Sequence, residues 1–466
     1  MLPALLLLLA TLVPSVARAD ELVLTTSFTY NENDAVETVT TPDGVVATLA
    51  YDEVDRPVSL SYSQGAGGVS AITYTDLGQV ASVTDSEGTI EFHYDPRFHG
   101  LTDIFYPGGD GSLHHGYDGF GRVINTRAGG AGSGESYRYD REGRIEQVSA
   151  DHGATTTNYD PLTGRLTSVQ LGSGITESYT YDSVTGEVTT VTQERAGGGL
   201  IAQYSHTYYA NGLKESVTET SPERGTETVT YEYDELQRLS RAIYDLADMS
   251  QRIENYEYDA NGNRLRRHVT VDSETVEDTR YRYNGLNQIV QAGNEVIYHN
   301  ARGNIVKRIT PGAVLRETTY EWNSANRLLG VTKKEDNQEV VSISYRYNAL
   351  GQRIGRSVSR PGHPLETKSY VNSSGELYQP LKIEDGGGTT VVYPGGSAYQ
   401  RGGKVRYELG GTGGVTRVMG GNGQLVASYR YDAFGRILES EGEAVGERTK
   451  RYRGEDWDEE SGLLYL

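Results

Sequence analysis

Cysteine is absent from the 466-residue chain, which excludes disulfides, thiolate metal sites, cysteine nucleophiles and lipid attachment to an N-terminal cysteine. Phenylalanine (6) and methionine (3) are scarce, and hydrophobic residues make up 36%, below the ordinary share of about 45–50%. Basic residues are outnumbered 43 to 64, leaving a net charge of −21. That deficit removes the basic footprint with which proteins hold nucleic-acid backbones or anionic membrane surfaces, so neither is an expected partner. It suits a soluble surface that resists non-specific association. Long apolar runs are lacking except at the N-terminus, where Leu5 to Leu12 is followed by Pro14 and by Ala17-Arg18-Ala19, the A-x-A form read by signal peptidase. We expect residues 1–19 to be a signal peptide cut before Asp20, and the protein to be secreted, periplasmic or at the cell surface. The apolar stretch, about 15 residues broken by Pro14, falls short of the roughly 20 that span a bilayer, so no membrane insertion is expected after cleavage.

Two residues are plentiful instead, glycine (57) and tyrosine (35). Tyrosine suits a half-buried sheet face, because the ring supplies apolar area while the hydroxyl keeps a polar partner. The tyrosines recur in register. Tyr137-Arg138-Tyr139-Asp140-Arg141-Glu142-Gly143-Arg144-Ile145 is repeated with Tyr256, Tyr258, Asp259 and Gly262, with Tyr345, Tyr347 and Gly351, and with Tyr429, Tyr431, Asp432, Gly435 and Arg436. Taking the aromatic before each turn, including Tyr209, Tyr298 and Trp322, most copies follow at steps of roughly 20–25 residues, the period of a repeat array. Each unit reads as a hairpin: Y-x-Y places two aromatics on one strand face, and D-x-x-G supplies the turn. Asp can hydrogen-bond the turn's own backbone, and Gly accepts positive φ.

After the turn, apolar residues recur three apart, as in Ile145 and Val148, Leu166 and Val169, Val188 and Val191, or Val80 and Val83. Strict strands alternate by two, so each return strand should carry a bulge that bends it. A lone hairpin is marginal, so the units must pair edge to edge. Propeller blades repeat at about 40–50 residues, which does not fit. The expected fold is all-β, tandem hairpins forming a continuous curved or spiral sheet.

These tandem Y-x-Y-D-x-x-G-R units resemble the RHS/YD-repeat family of bacterial polymorphic toxins and the YD shell of teneurins. The segments Leu409-Gly410-Gly411-Thr412-Gly413-Gly414-Val415, Ala427 to Arg436 and Tyr452 to Leu463 look like the RHS-associated core. The resemblance implies a β-sheet cocoon closed at one end by the core, around a toxic C-terminal domain released by aspartate-dependent self-cleavage. In the family the chain continues past the equivalent of Gly462-Leu463-Leu464-Tyr465 into the autoprotease segment, whereas this sequence ends at Leu466. No family catalytic residue therefore maps onto a position here. The expected organisation is a signal at 1–19, a repeat array at 20–360 and, as the resemblance implies, an incomplete core-like segment at 361–466. The implied partner is a separately encoded RHS C-terminal piece or toxin, with self-association expected through exposed Leu463, Leu464, Tyr465 and Leu466.

Candidate chemistry is thin. Asp259-Ala260-Asn261-Gly262-Asn263 mimics the start of a calcium loop, but its glycine is misplaced and no Glu stands at the twelfth position, so it reads as the repeat's turn. The histidines show no metal-ligand spacing, and no nucleophile elbow or P-loop is present. We expect no enzyme, no cofactor and no metal. The leading function is a non-catalytic scaffold or carrier part of an RHS-type toxin or cell-surface system. The alternative is an exported adhesin or carbohydrate-binding protein, in which tyrosines beside acidic and amide groups stack on sugars.

Overall fold

The computed structural model describes residues 24–108, 112–129, 134–373, 380–393, 395, 397–411, 414–447 and 456–465. The expected signal peptide, and Leu466 of the expected association edge, lie outside the described residues; so do the side chains of Leu464 and Tyr465.

The local chemistry starts at the turn. In the hairpin of strands Gly134–Tyr139 and Ile145–Ala150, the Asp140 carboxylate accepts the Glu142 amide at 3.0 Å, the Arg144 amide at 2.8 Å and the Arg144 Nε at 2.7 Å. Gly143 donates its amide to the Asp140 carbonyl and sits at φ +83°, a conformation that costs a side-chain-bearing residue about 1–2 kcal/mol. The two amide bonds to the carboxylate recur at Asp52, Asp118, Asp234 and Asp432, and the arginine Nε bond at the first three. Asp259 makes the same turn with Asn263 in place of arginine, its carboxylate taking the Asn263 amide and Nδ2. The turn reading of this loop is thus the observed one.

The tyrosine just before the turn does more than pack. Its hydroxyl donates to the carbonyl of the first return-strand residue of the preceding unit: Tyr159 to Ile145, Tyr181 to Leu166, Tyr258 to Leu239, Tyr347 to Leu328 and Tyr431 to Val415. Trp322 does the same with its indole N–H on Ile305. In several units the turn arginine of one lies over the tyrosine of the next, Arg144 at 4.2 Å from the Tyr159 ring centroid and Arg238 at 4.8 Å from that of Tyr258, a contact worth about 0.5–1 kcal/mol where exposed. Phenylalanine could supply the area but not the hydrogen bond, and this accounts for a chain so rich in tyrosine and so poor in phenylalanine.

This linkage corrects two assignments. Tyr208, not Tyr209, is the motif aromatic of its unit, since its hydroxyl donates to Val188 while Tyr209 occupies the aspartate position of the turn. His299, not Tyr298, ends its strand before the turn begun by Asn300. Counting back four residues from Gly212 or Gly303 yields the right residue.

The bulges lie where the apolar spacing places them. Arg138 pairs with Gln147 but Tyr139 with Ile145, leaving Glu146 extra, and the same slip leaves Thr167, Thr189 and Ala81 unpaired. Among the described residues there is no α-helix. Strands from Ser27 to Tyr62 form a four-stranded sheet, and those from Ala71 to Glu441 follow one another in chain order as a single 34-stranded antiparallel sheet. The expected continuous hairpin sheet is the observed fold.

The chain divides into two compact units, Met1–Ser133 with Arg282–Val392, and Gly134–Tyr281 with Tyr393–Leu466. The first has an aliphatic core of Val39, Leu60, Ile72, Ile90, Ile104 and Leu113, joined by Ala349 and Leu381. In the second, Ala202, Tyr204 and Val217 form one cluster with Val191 and Tyr231 against it, and among its many buried aliphatic and tyrosyl side chains stand buried charged ones, Glu254, Arg267, Arg417 and Asp432.

Candidate functional site: the seam of the C-terminal segment

Within the second unit the C-terminal segment crosses the repeat strands broadly in sequence order, save that the Gly423 carbonyl turns back to accept from the Arg195 Nε at 3.0 Å. Tyr407 donates to the His152 carbonyl, and Gln193 to that of Gly410, each at 2.8 Å. Arg417 then meets Glu219 and Glu223, Arg430 meets Glu227, and Asp432 meets Arg267. Each contact spans between 165 and 255 residues. Alternation along the strands delivers these groups: Glu219 and Val217 share one face of Lys214–Ser221, and Glu254 and Tyr256 one face of Gln251–Tyr258.

Two charged knots hold the seam. In the first, Arg417 has no exposed surface; its Nε donates to Glu223 at 2.7 Å, and its other nitrogens to Glu219 and the Tyr204 hydroxyl. That hydroxyl also lies 2.9 Å from the Thr416 hydroxyl. Burial opposes the Arg417 charge, but Tyr204, Glu219 and Glu223 outweigh it and hold its pKa above the ordinary arginine value. Burial also pushes the Tyr204 phenol upward, keeping it a donor.

In the second knot, Glu254 has no exposed surface and Arg267 almost none. Arg267 reaches Glu254 at 3.0 Å, Glu277 at 2.7 Å and Asp432 at 2.9 Å. Arg252 and the Tyr256 hydroxyl complete the shell of Glu254, and Phe434 packs edge-on against Tyr256 at 4.9 Å. Burial disfavours the Arg267 cation, yet its three carboxylates keep it charged. Glu277 is held below the usual carboxylate range: burial pushes it up, and Arg267 and Arg436 pull it further down. Buried ion pairs of this kind specify an arrangement more than they add stability, since removing one partner strands the others.

Of the motif residues singled out from sequence, the seam gathers Tyr256, Tyr429, Tyr431, Asp432 and Arg436. Tyr137, Tyr139, Asp140, Gly143, Arg144, Tyr258, Asp259, Gly262 and Gly435 build the hairpins and the links between neighbouring repeats, and Tyr345, Tyr347 and Gly351 belong to the first unit. The groups that hold the seam, Tyr204, Glu219, Glu254, Arg267 and Arg417, carry no motif signal. A charged residue at an inward-facing strand position was the one available cue. Among the described residues no three His, Asp or Glu side chains converge as metal ligands. The site is an interlock that binds chain to chain.

An antiparallel array of Y-x-Y-D hairpins with its own C-terminal segment latched across it defines a YD-repeat shell protein. The chain belongs to the teneurin YD-shell family, whose model matches residues 16–221 and 190–362. Among curated relatives, the tRNA3(Ser)-specific nuclease WapA of Bacillus spizizenii is 28% identical over 218 residues, covering 45% of this chain and 9% of that protein. The tRNA nuclease WapA of Bacillus subtilis is 27% identical over 218 residues, with the same coverage, 45% and 9%. The chain thus spans less than a tenth of the relatives it matches. Among solved structures, that of TcdB2-TccC3-TEV superposes with a TM-score of 0.66 at 13% identity, covering 94% of this chain and 25% of that one. The Photorhabdus luminescens Tc holotoxin pore gives a TM-score of 0.55 at 16% identity, covering 95% and 27%. At such identities the likeness is one of fold.

Proposed function

We propose that this chain is an exported, non-catalytic YD-shell scaffold that carries or docks a toxin piece in an RHS-type system. The observation that carries the reading is the seam itself: the repeats present charged and tyrosyl groups at a series of strand positions, and the C-terminal segment of the chain occupies them. Membership of the YD-shell family and the likeness in fold to Tc toxin structures support it. The N-terminal apolar run supports export.

The test attaches a small protease-sensitive reporter after Leu466 and follows its survival under protease. A carrier whose seam holds the C-terminal segment protects the reporter, and Arg267→Met with Arg417→Met abolishes protection. Equal cleavage in both forms contradicts the carrier role, and turnover of a tRNA, peptide or glycoside by the purified chain, lost on substitution of one of its own residues, contradicts the non-catalytic one.

A further inference from the structure

In the first unit, strands Gly88–Tyr94, Leu101–Phe105 and Leu113–Tyr117 lie side by side. Their register sets His93 opposite Asp103 and Asp103 opposite His114. The chain neighbours Phe92, Ile104 and Leu113 are buried, so alternation turns all three polar side chains onto the solvent face of the sheet. A carboxylate thus stands between two imidazoles, each on a strand of its own.

The row is already partly assembled. The Asp103 carboxylate accepts from the His114 Nδ1 at 2.8 Å. The slip between His93 and Tyr94 leaves Thr102 extra on the partner strand, and the Thr102 hydroxyl donates to the same carboxylate. Burial pushes the Asp103 carboxyl up, but the His114 and Thr102 hydrogen bonds and the nearness of His114 and His93 draw it down further, below the usual carboxylate range, so it stands as an anion. His93 is the member held aside. Its ring packs edge-on against Phe105 at 5.1 Å, and the three groups as they stand do not close on one point. Turning the ring back is a step between staggered side-chain wells. Directly opposed Cβ atoms on neighbouring strands lie about 4.5–5.5 Å apart, which puts the Cβ atoms of His93 and His114 about 10 Å apart across Asp103. Each imidazole reaches about 5–6 Å from its Cβ to a metal bound at its far nitrogen, so the two rings can meet above the carboxylate.

We propose that His93, Asp103 and His114 form a binding site for a divalent first-row metal ion of the zinc type. Two imidazoles and a carboxylate are a donor set that zinc accepts, with water filling the position the sheet leaves open. Imidazole nitrogen favours such ions over calcium and magnesium, which take oxygen ligands. A cation over Asp103 takes the place of the N–H that His114 now gives it, while the Thr102 hydroxyl goes on orienting the carboxylate. Without cysteine in the chain, no thiolate competes for the ion. The ligands come from three successive strands and no local motif unites them, so their spacing in the sequence gave no metal signal. The site uses no residue of the seam, and stands whether or not the chain is a carrier.

The experiment titrates the full chain, prepared without a histidine tag and stripped with EDTA, with zinc chloride at pH 7, followed by calorimetry and by NMR of the histidine rings. We expect saturable binding of zinc that excess calcium does not displace, with the His93 and His114 ring signals shifting together. His93→Ala, Asp103→Asn and His114→Ala each weaken it at least about tenfold. Their thermal midpoints without zinc stay at the parent value, because the exchanged side chains lie on the solvent face. His363→Ala, at an exposed turn histidine of the same unit, leaves binding unchanged. Absence of saturable zinc binding overturns the proposal. So does binding that survives His93→Ala at full strength, which would leave only the His114–Asp103 pair, or an equal loss on His363→Ala, which would mean that the surface histidines bind zinc without a site.

Discussion

The Asp140 and Asp432 turns have the same backbone, yet they do different work. At Asp140 the carboxylate serves its own loop, closing on Arg144 at 2.7 Å with that arginine's side chain 30% exposed. At Asp432 the loop hydrogen bonds are identical, but the carboxylate is buried and Arg436 has moved off to 3.6 Å. Arg267, from a hairpin 165 residues earlier, takes its place at 2.9 Å. The repeat supplies a carboxylate in fixed geometry. Burial decides whether that carboxylate stays in its turn or ties distant parts of the chain together.

The comparison breaks most visibly at the arginines. Arg267→Met leaves Glu254, Asp432 and Glu277 without their shared cation, and Arg417→Met strands Glu219 and Glu223; removing one member of a buried ionic group costs about 3–5 kcal/mol. Arg144→Met removes a partner that water replaces, and its effect should vanish into measurement scatter. Urea midpoints of the three variants, compared with the parent, order the effects.

A smaller contrast concerns the tyrosine hydroxyls. Tyr431 is buried and donates to Val415 at 2.7 Å, whereas Tyr159 donates to Ile145 at 3.1 Å in an exposed setting. Tyr431→Phe leaves a buried carbonyl unpaired and should cost about 1–3 kcal/mol, against about 0.5 kcal/mol or less for Tyr159→Phe, where water replaces the donor. Equal losses would mean that the hydroxyls contribute through packing alone. Glycine at the turn ranks next. No atom lies within 4 Å of a Cβ added at Gly143, so Gly143→Ala should cost about 1 kcal/mol from positive φ alone. Gly143→Asn should cost less, because Asn287 occupies the same turn position at φ +58°. Thermal midpoints distinguish the two.

The smallest expected effect is on acid sensitivity. Burial, helped by the Lys214 charge, pushes His206 down to about 4. The unfolded chain binds that proton near pH 6.5, so the folded state has its full stability above 6.5 and loses it progressively as pH falls toward 4. Glu277 and Glu447 are held low by Arg267 and Arg406 against the upward push of burial. They stabilise above the unfolded carboxylate range and lose that contribution as pH falls further, in the same direction. Urea midpoints measured from pH 7 to pH 4 should decline, with a shallower slope in His206→Gln.

The sequence exposes whatever is local. Tyr139, Asp140 and Gly143 specify their hairpin within a few residues, and the three-residue spacing of Ile145 and Val148 announces the bulge at Glu146, because turn and bulge depend only on neighbours. The Tyr208 and His299 units mislead because Tyr209 replaces the turn aspartate in one and His299 replaces the motif aromatic in the other, and the glycine rather than the aromatic keeps the register. The seam was not legible. Nothing near Arg267 distinguishes it from Arg266, which faces outward to Asp278 and Glu257; alternation puts one inside and one outside, and only the folded sheet brings Asp432 to meet the former.

A double-mutant cycle on Arg267 and Asp432 tests the central claim most directly. Arg267→Met, Asp432→Leu and the double variant are unfolded in urea at pH 7, and the coupling is taken from the three differences in stability. A seam that latches the C-terminal segment predicts a coupling of about 1 kcal/mol or more, with the double variant less destabilised than the sum of the singles. Additivity to within about 0.5 kcal/mol would mean that the two residues act independently, and that the C-terminal segment is not held to the repeats by the ion pair between its Asp432 turn and the Arg267 strand.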